Sequence, residues 1–219
     1  MKNYLLICLV ACFVPAQAAL ITNGSFEAPV VPVGSFTNFA SGSSLITGWT
    51  VVGPGASIIN GTFFQECCSF PAEDGSQWLD LTGDGTNSIG GVEQTVATTA
   101  GTQYTLSFWV GNIFDPAGIF GTTSTVNVRL GGIAGASLGT FTNSSTTTGT
   151  QVWKLFNINF TATGASATLD FLNADPSNDN SNGLDNVSLT ANANGVPDPG
   201  TLSLVGLGII GLGLIRRRA

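Results

Sequence analysis

Short stretches in which apolar and polar residues alternate recur through residues 20–190, and no other feature constrains the fold as strongly. Alternation with a period of two places every second side chain on one face of a β-strand. Gly, Asn, Asp and Ser, which favour turns, separate the stretches. Strands are predicted clearly at residues 77–82, 103–111, 124–130, 151–161, 167–172 and 184–190, and more weakly at 20–26, 46–52, 57–62 and 91–96. About ten short strands without helical periodicity indicate an all-β sandwich or barrel.

The alternation also predicts which side of each strand faces the core. In the strand 77–82, Leu79 and Leu81 point to the core, whereas Trp78 and Asp80 point away from it. The outward positions that we select as ligand-binding candidates are Trp78, Asp80, Trp109, Asn127 and Arg129. Aromatic rings stack on the C–H faces of sugars while planar polar groups bond the hydroxyls, so the pattern favours a sugar-binding face. The alternative is that the two tryptophans pack beneath loops and that the polar residues are ordinary solvated positions.

The N-terminal residues have the three parts of a secretory signal peptide. Lys2 precedes an apolar stretch at residues 4–14, and a small-residue segment then ends at Ala18, where cleavage is predicted. The body that remains is one predicted domain, residues 19–190, with enough chain to enclose a core. Residues 191–195 form a predicted linker to the C-terminal tail.

The cysteine and histidine content limits which disulfides, metal sites and catalytic sites the chain can form. Cys8 and Cys12 belong to the signal peptide, so only the adjacent Cys67 and Cys68 remain in the body, and the chain has no histidine. In an oxidising compartment a disulfide is favoured, either between these two neighbours or between chains. Zinc sites and catalytic triads are disfavoured because both depend heavily on imidazole.

Carboxylates are the remaining route to catalysis. A pair for glycoside hydrolysis could be drawn from Glu66, Glu73, Asp80 or Glu93, since two acids are sufficient for that reaction. Acids in turns are, however, expected on any acidic surface domain. We therefore predict that the protein is not an enzyme and has no catalytic residues.

The charge balance excludes another class of partner. The formal net charge is −7, and of the six basic residues only Arg129 and Lys154 lie in the body. Two residues cannot form a basic patch, so nucleic acids and anionic lipid surfaces are excluded as partners.

Residues 196–219 have the order of a membrane-sorting signal: a helix breaker, an apolar run and a basic end. These parts are Pro197, Asp198 and Pro199, residues 201–215, and Arg216, Arg217 and Arg218. The three arginines hold the C-terminus in the cytoplasm. The order resembles the PEP-CTERM signal of bacterial exosortase substrates, with Asp198 in place of the usual glutamate. The resemblance implies an exosortase-type processing enzyme as partner, a transient transmembrane helix at 201–215, and delivery to the cell surface or extracellular matrix; a plain membrane anchor is the alternative.

Further motifs occur in order through the body. They are residues 23–27 (NGSFE), 48–49 (GW), 74–81 (DGSQWLDL), 92–96 (VEQTV), 101–108 (GTQYTLSF) and 184–189 (LDNVSL). This order resembles the galactose-binding-like jelly rolls, both the DUF642-type domains and the carbohydrate-binding modules of families 4, 9 and 22. The resemblance implies a jelly-roll β-sandwich.

The same resemblance implies a structural calcium ion that joins the opening and closing strands. The matching carboxylates are Glu27 and Asp185, and backbone carbonyls of Ser25 and Ser76 would complete a shell of oxygen ligands. The closing motif is often a double aspartate in these families, and here its second position is Asn186. The alternative is that Glu27 and Asp185 cap turns without a metal.

Three functions are compatible with these patterns. The leading one is an exported, exosortase-processed surface or matrix protein with a structural or adhesive role. The second is a carbohydrate-binding module for exopolysaccharide or cell-wall glycan, in which loop aromatics join the two outward tryptophans, namely Phe63, Phe64, Phe70, Phe114 and Phe120. The third is a glycoside hydrolase.

Overall fold

The computed structural model describes residues 19–83, 89–176 and 179–192. The predicted signal peptide and sorting signal, including Pro197, Asp198, Pro199 and the three terminal arginines, lie outside the described residues. Within the described residues the regular elements are all strands. No helix there is long and apolar enough to cross a bilayer.

The strands are short and follow one another closely along the chain. They are β1 (Phe36–Ala40), β2 (Thr50–Val52), β3 (Gly55–Asn60), β4 (Phe64–Gln65), β5 (Cys68–Ser69), β6 (Gln77–Asp80), β7 (Gly91–Ala97), β8 (Gln103–Asn112), β9 (Ser124–Leu130), β10 (Ala136–Asn143), β11 (Val152–Thr161), β12 (Ser166–Asn173) and β13 (Gly183–Ala191). One six-stranded sheet has the order β1-β3-β6-β13-β8-β11, and one five-stranded sheet has the order β10-β9-β12-β7-β2. β4 and β5 pair only with each other, as a small hairpin.

The two large sheets pack face to face around a core of aliphatic and aromatic side chains. Phe108 on β8 contacts Phe141 on β10 and Phe171 on β12, with ring centroids 5.2 and 5.3 Å apart. These contacts cross from the six-stranded sheet to the five-stranded sheet. The predicted all-β jelly-roll sandwich is therefore confirmed.

The core-facing positions follow the alternation in the sequence. Leu79, Leu106, Val128 and Leu169 are all completely buried in the central cluster. Each such side chain contributes about 1.5–3 kcal/mol of hydrophobic stabilisation relative to an exposed one. Both sheets and this core lie within residues 19–192.

The strand predicted at residues 20–26 is wrong. Asn23 and Phe26 have positive φ angles of 53° each, so the chain turns there instead of extending. The Asn23 side chain donates to the backbone carbonyls of Ala28 and Thr47, and the backbone carbonyl of Asn23 accepts a bond from the Trp49 indole N–H. The segment is therefore fixed by loop contacts, with Phe26 completely buried against Trp49.

Four strands were not predicted: β1, β4, β5 and β10. β10 is an edge strand with mostly exposed residues, and its register with β9 shifts between Ser137 and Gly139. β4 and β5 have only two residues each. Alternation is a weak signal in short, irregular or exposed strands, because few of their side chains enter the core.

Candidate functional site

A second apolar cluster lies on the outer face of the six-stranded sheet. Its buried members are Ile59, Cys68, Phe70, Trp78, Ile113 and Phe120. The alternation along β6 turns Trp78 away from the main core, and the segments 61–76 and 113–123 fold back over it. Trp78 is 1% exposed, and its indole N–H donates to the carbonyl of Phe70 at 3.0 Å.

The covering segment 61–76 is held in place by the β4–β5 hairpin. Cys67 and Cys68 are joined by a disulfide at the turn of this hairpin, within one chain. Cys68 is completely buried in the second cluster. The backbone N–H of Ser69 donates to Gly149, and that of Gln151 donates to Ser69, so the hairpin is tied to the start of β11. The segment 61–76, which covers β6, is therefore held in place both by the disulfide at the hairpin turn and by the hydrogen bonds of Ser69.

A cavity of about 460 Å³ opens between the covering segment 61–76, the outer face of β1, β3 and β6, and the segment 119–120. That volume falls in the range of small-molecule sites. Eight apolar side chains line it: Phe36, Ile59, Phe63, Phe64, Phe70, Trp78, Ile119 and Phe120. The polar lining consists of Ser57, Gln65, Asp80, Asn180 and Ser181, together with Gly83.

Asp80 supplies the charge of the cavity and is 7% exposed. Its Oδ1 accepts bonds from the backbone N–H of Thr82 at 2.9 Å, the Thr82 hydroxyl at 2.8 Å and the backbone N–H of Asn182 at 3.1 Å. Burial raises the pKa of Asp80 to about 6, although these donors act in the opposite direction. The carboxyl is therefore largely ionised above neutral pH.

Two features beside Asp80 add to the polarity of this end of the cavity. The Ser181 hydroxyl is buried and has no hydrogen-bond partner, although the residue lines the cavity. Behind it, Asp175 and Asp179 have raised pKa values of about 9 and about 7, in both cases chiefly because of burial. A buried hydroxyl without a hydrogen-bond partner costs folding free energy.

Glu27 and Asp185 meet at one turn, residues 73–77. Glu27 Oε1 accepts from the backbone N–H groups of Ser76 and Gln77, both at 2.8 Å, and Glu27 Oε2 accepts from the Ser76 hydroxyl at 2.7 Å. Asp185 Oδ2 accepts from the backbone N–H groups of Glu73 and Asp74 at 2.9 and 3.1 Å. The first and last parts of the domain are thus joined by hydrogen bonds through this turn.

The comparisons with known proteins assign the family. The sequence model of DUF642, described as a protein of unknown function, matches residues 19–190. The chain belongs to the DUF642 family. No curated protein matches this DUF642 chain.

Solved structures with a similar fold include carbohydrate-binding modules, at low identity. TmCBM61 in complex with β-1,4-galactotriose is 14% identical, with a TM-score of 0.46 over 80% of this chain and 100% of that one. The CBM22-1 xylan-binding domain from Paenibacillus barcinonensis Xyn10C is 15% identical, with a TM-score of 0.41 over 74% of this chain and 97% of that one. A structure titled for CBM4 is 18% identical, with a TM-score of 0.40 over 78% and 99% of the two chains.

The predicted ligand residues do not form one face in the DUF642 domain. Trp78 is buried beneath loops and Asp80 lines the cavity. Trp109 is half-buried on the same sheet, beside Leu155 of β11. Asn127 and Arg129 belong to β9, in the other sheet, where Arg129 donates to the carbonyls of Ile133 and Gly135. The single sugar-binding face is therefore wrong, because a sandwich has two outer faces and the sequence does not assign strands to sheets.

The loop aromatics were better candidates than the strand residues. Phe63, Phe64, Phe70 and Phe120 line the cavity, whereas Phe114 does not. Four further lining residues were not predicted from the sequence: Phe36, Ile119, Asn180 and Ser181. A usable signal was the density of aromatic residues at 63–70 (FFQECCSF), which is too apolar for an ordinary surface loop.

The four acids considered for catalysis are dispersed over the DUF642 domain. Glu66 is exposed in the hairpin turn, and Glu73 accepts a bond from the Asn186 side chain at 2.8 Å. Glu93 lies opposite Asp170 in the five-stranded sheet. Among the described residues, Asp80 is the one carboxylate that lines the cavity, so no second acid faces it there as a hydrolase would require.

At the turn 73–77, N–H and hydroxyl groups rather than carbonyl oxygens meet the carboxylates of Glu27 and Asp185, and the Ser76 carbonyl accepts a bond from the Gly61 N–H. Asp185 is completely buried, and burial raises its pKa to about 8. Glu73, whose charge raises that pKa further, adds to the negative potential. No group of three or more His, Cys, Asp or Glu side chains with metal-holding geometry occurs in the described part of the chain, so backbone carbonyls would have to complete the shell.

Proposed function

We propose that this DUF642 domain binds a carbohydrate in the cavity on the outer face of its six-stranded sheet. The observation that carries the proposal is the combination of an aromatic lining with a few converging polar groups, Asp80, Asn180 and Ser181. Aromatic rings present flat apolar surfaces to the C–H faces of a sugar ring, while hydroxyl and carboxylate groups bond its hydroxyls.

The exposure of the apolar side chains at the cavity opening supports ligand binding rather than simple packing. Phe64 is 64% exposed, Phe36 is 41% exposed and Ile119 is 40% exposed, and all three line the cavity. Exposed large apolar side chains gathered at one opening are characteristic of interaction sites. A ligand that covers them gains hydrophobic contact without requiring the domain to rearrange.

Binding should be measured on a glycan array with the exported body, residues 19–195, including β-1,4-linked tetramers of glucose, galactose, xylose, N-acetylglucosamine and glucosamine. Phe64→Ala should weaken binding of the best glycan by about tenfold, a loss typical of one buried aromatic contact. Leu45→Ala is the control, because Leu45 is 73% exposed and does not line the cavity. Equal binding by the Phe64 variant and the parent would contradict the proposal.

Another surface of the same sheet is a weaker candidate. Trp109 stands there beside a row of polar residues on β8 and β11. The Ser107 hydroxyl donates to Asn157, and the Thr105 hydroxyl donates to Asn159 at 2.7 Å. Because these polar groups already form hydrogen bonds with one another, a sugar would have to break those hydrogen bonds in order to bind there.

We also propose that the protein is exported and retained at the cell surface or in the extracellular matrix, where glycan binding would serve an adhesive or structural role. The support is the pair of end signals predicted from the sequence, namely a signal peptide ending at Ala18 and a sorting signal at 196–219. Replacing Arg216, Arg217 and Arg218 by glutamine should abolish C-terminal processing in the native host, because the cytoplasmic stop is lost. Cleavage at the parental rate would contradict an exosortase-type processing step.

We infer in addition that calcium binds at the turn 73–77 in a structural role. Glu27 and Asp185 would hold it with their carboxylates, and the carbonyls of Ser25 and Ser76 would contribute backbone oxygens. The support is the convergence of Glu27 and Asp185 on this turn, where the described residues offer no basic partner: Arg129 is bonded within the five-stranded sheet, and Lys154 lies over the Phe156 ring. When bound, the cation would neutralise these carboxylates and fasten the two ends of the domain to one turn.

A further inference from the structure

We propose that the cavity selects glycans that carry a protonated amine, such as unacetylated hexosamines, with the Asp80 carboxylate as the counter-charge. The inference rests on the proposed carbohydrate binding and names the sugar class that the site favours. It follows from three properties of the cavity: the sign of its charge, its aromatic lining and the hydrogen bonding of the Asp80 carboxylate.

The charge of the cavity is negative, and nothing described near it is positive. Asp80 lines it and is largely ionised at pH 7, whereas Asp175 behind it, with a pKa raised to about 9 by burial, is neutral at that pH. The two basic residues of the described chain are occupied elsewhere: Arg129 donates to Ile133 and Gly135, and the Lys154 ammonium donates to Thr142 at 3.2 Å. A ligand that carries carboxylate, sulfate or phosphate would therefore be repelled, whereas an ammonium group would be attracted.

The walls are suited to a cation as well as to a sugar ring. Six aromatic rings line the cavity, those of Phe36, Phe63, Phe64, Phe70, Trp78 and Phe120. The face of an aromatic ring attracts cations, and Trp does so most strongly. An ammonium group that approaches Asp80 would lie among these rings in a partly desolvated site, where both attractions are stronger than they are in water.

Within the described residues, the hydrogen bonds to Asp80 leave one of its two carboxylate oxygens without a donor. The three donors described there all bond Oδ1, from Thr82 and Asn182. Neutral hydroxyl and amide groups thus surround Asp80 just after β6 and before β13, and the other ionisable groups described close to it are the carboxyls of Asp175 and Asp179. A bound ammonium would supply the one missing partner, a positively charged donor for the buried carboxylate.

The protonation of Asp80 gives the selectivity a defined pH dependence. Burial raises its pKa to about 6, so the carboxyl becomes neutral as the pH falls from 7 to 5. A neutral carboxyl attracts an ammonium far less than a carboxylate does. The preference for an amino sugar over its acetylated equivalent should therefore decrease across that interval, while binding of the uncharged sugar should change little.

The test is a calorimetric comparison of β-1,4-linked tetramers of glucosamine, N-acetylglucosamine and glucose on the exported body at pH 7. We expect glucosamine to bind about tenfold more tightly than the two neutral tetramers, the ratio typical of one charge-assisted contact. Asp80→Asn should reduce that ratio to about one, while Glu66→Gln, which removes an equal charge from an exposed position on the covering hairpin, should leave it unchanged.

The outcomes separate this inference from the proposal on which it rests. If the neutral tetramers bind as tightly as glucosamine, or if Glu66→Gln lowers the ratio as much as Asp80→Asn does, the amine selectivity is wrong and carbohydrate binding stands. If none of the tetramers and no other glycan on the array binds, both are wrong. Should Asp80→Asn fail to fold, the parent protein decides: a glucosamine preference that is the same at pH 5 and pH 7 overturns the role of Asp80.

Discussion

Replacing Trp78 by alanine should destabilise the exported body by about 3–5 kcal/mol, the range found when large aromatic residues are removed from a core. Trp78 is 1% exposed and packs against Phe70 and Trp153, with ring centroids 6.1 and 5.9 Å away. Its loss would also leave the Phe70 carbonyl without the indole N–H that it accepts. For a domain of this size, the melting temperature should fall by about 6–20 °C.

Trp109→Ala is the matched control for this prediction. Trp109 is half-buried on the outer face of the six-stranded sheet, beside Leu155 and Asp185 on the neighbouring strands. We expect its removal to cost about 1 kcal/mol, near the average for single substitutions. Chemical denaturation of both variants, analysed with a common slope, provides the comparison. If Trp78→Ala loses no more unfolding free energy than Trp109→Ala does, the buried position of Trp78 is contradicted.

Removing calcium should lower the stability of the exported body by about 2.7 kcal/mol if free calcium is initially 100 times its dissociation constant. Burial of Asp185, assisted by the charge of Glu73, raises its pKa to about 8. A carboxyl whose pKa is higher in the folded state than in the unfolded state loses folding stability as the pH rises between those values. In chelator, the melting temperature should therefore fall as the pH rises from about 4 to 8, and calcium should reverse the part of that fall that is due to Asp185.

Thermal melts with calcium and with EDTA, at pH 5 and at pH 7.5, measure this effect. The difference between calcium and EDTA should be larger at pH 7.5, because protons compete with the cation at pH 5. Asp185→Asn should abolish the difference, and Asp115→Asn, in the 113–123 segment, should retain it. An exported body that melts identically in EDTA and in calcium at both pH values would leave Glu27 and Asp185 as capping residues that bond the turn 73–77.

The sandwich could be predicted from the sequence because the alternation reports directly which side chains enter the core. Leu79 and Leu106 were assigned to the core correctly on that basis. Alternation is less informative about the opposite side of a strand. It placed Trp78 on the outer face correctly, but the segment 61–76 that covers this residue has no periodic pattern, so its course could not be predicted.

The candidate site was harder to predict because its parts are distant in the sequence. The backbone N–H of Asn182, next to Ser181, bonds Asp80 across 102 positions of the chain. Phe36 enters the cavity from β1, a strand too short and too exposed to be recognised. Asn127 and Arg129 were grouped with Trp109 because all three face outward, although strand order assigns them to different sheets.

Resonances of the four tryptophan indole N–H groups provide the most direct test of the cavity as the carbohydrate site, because each group reports a different position. Trp49 lies in the core, Trp78 lies at the cavity, Trp153 contacts Trp78, and Trp109 lies on the exposed part of the sheet. Two-dimensional NMR of the exported body should be recorded during titration with the tightest-binding glycan of the array. The account predicts a saturable shift of the Trp78 signal, with those of Trp49 and Trp109 unchanged. A shift of Trp109 with Trp78 unchanged would move the site to the β8–β11 face and contradict it.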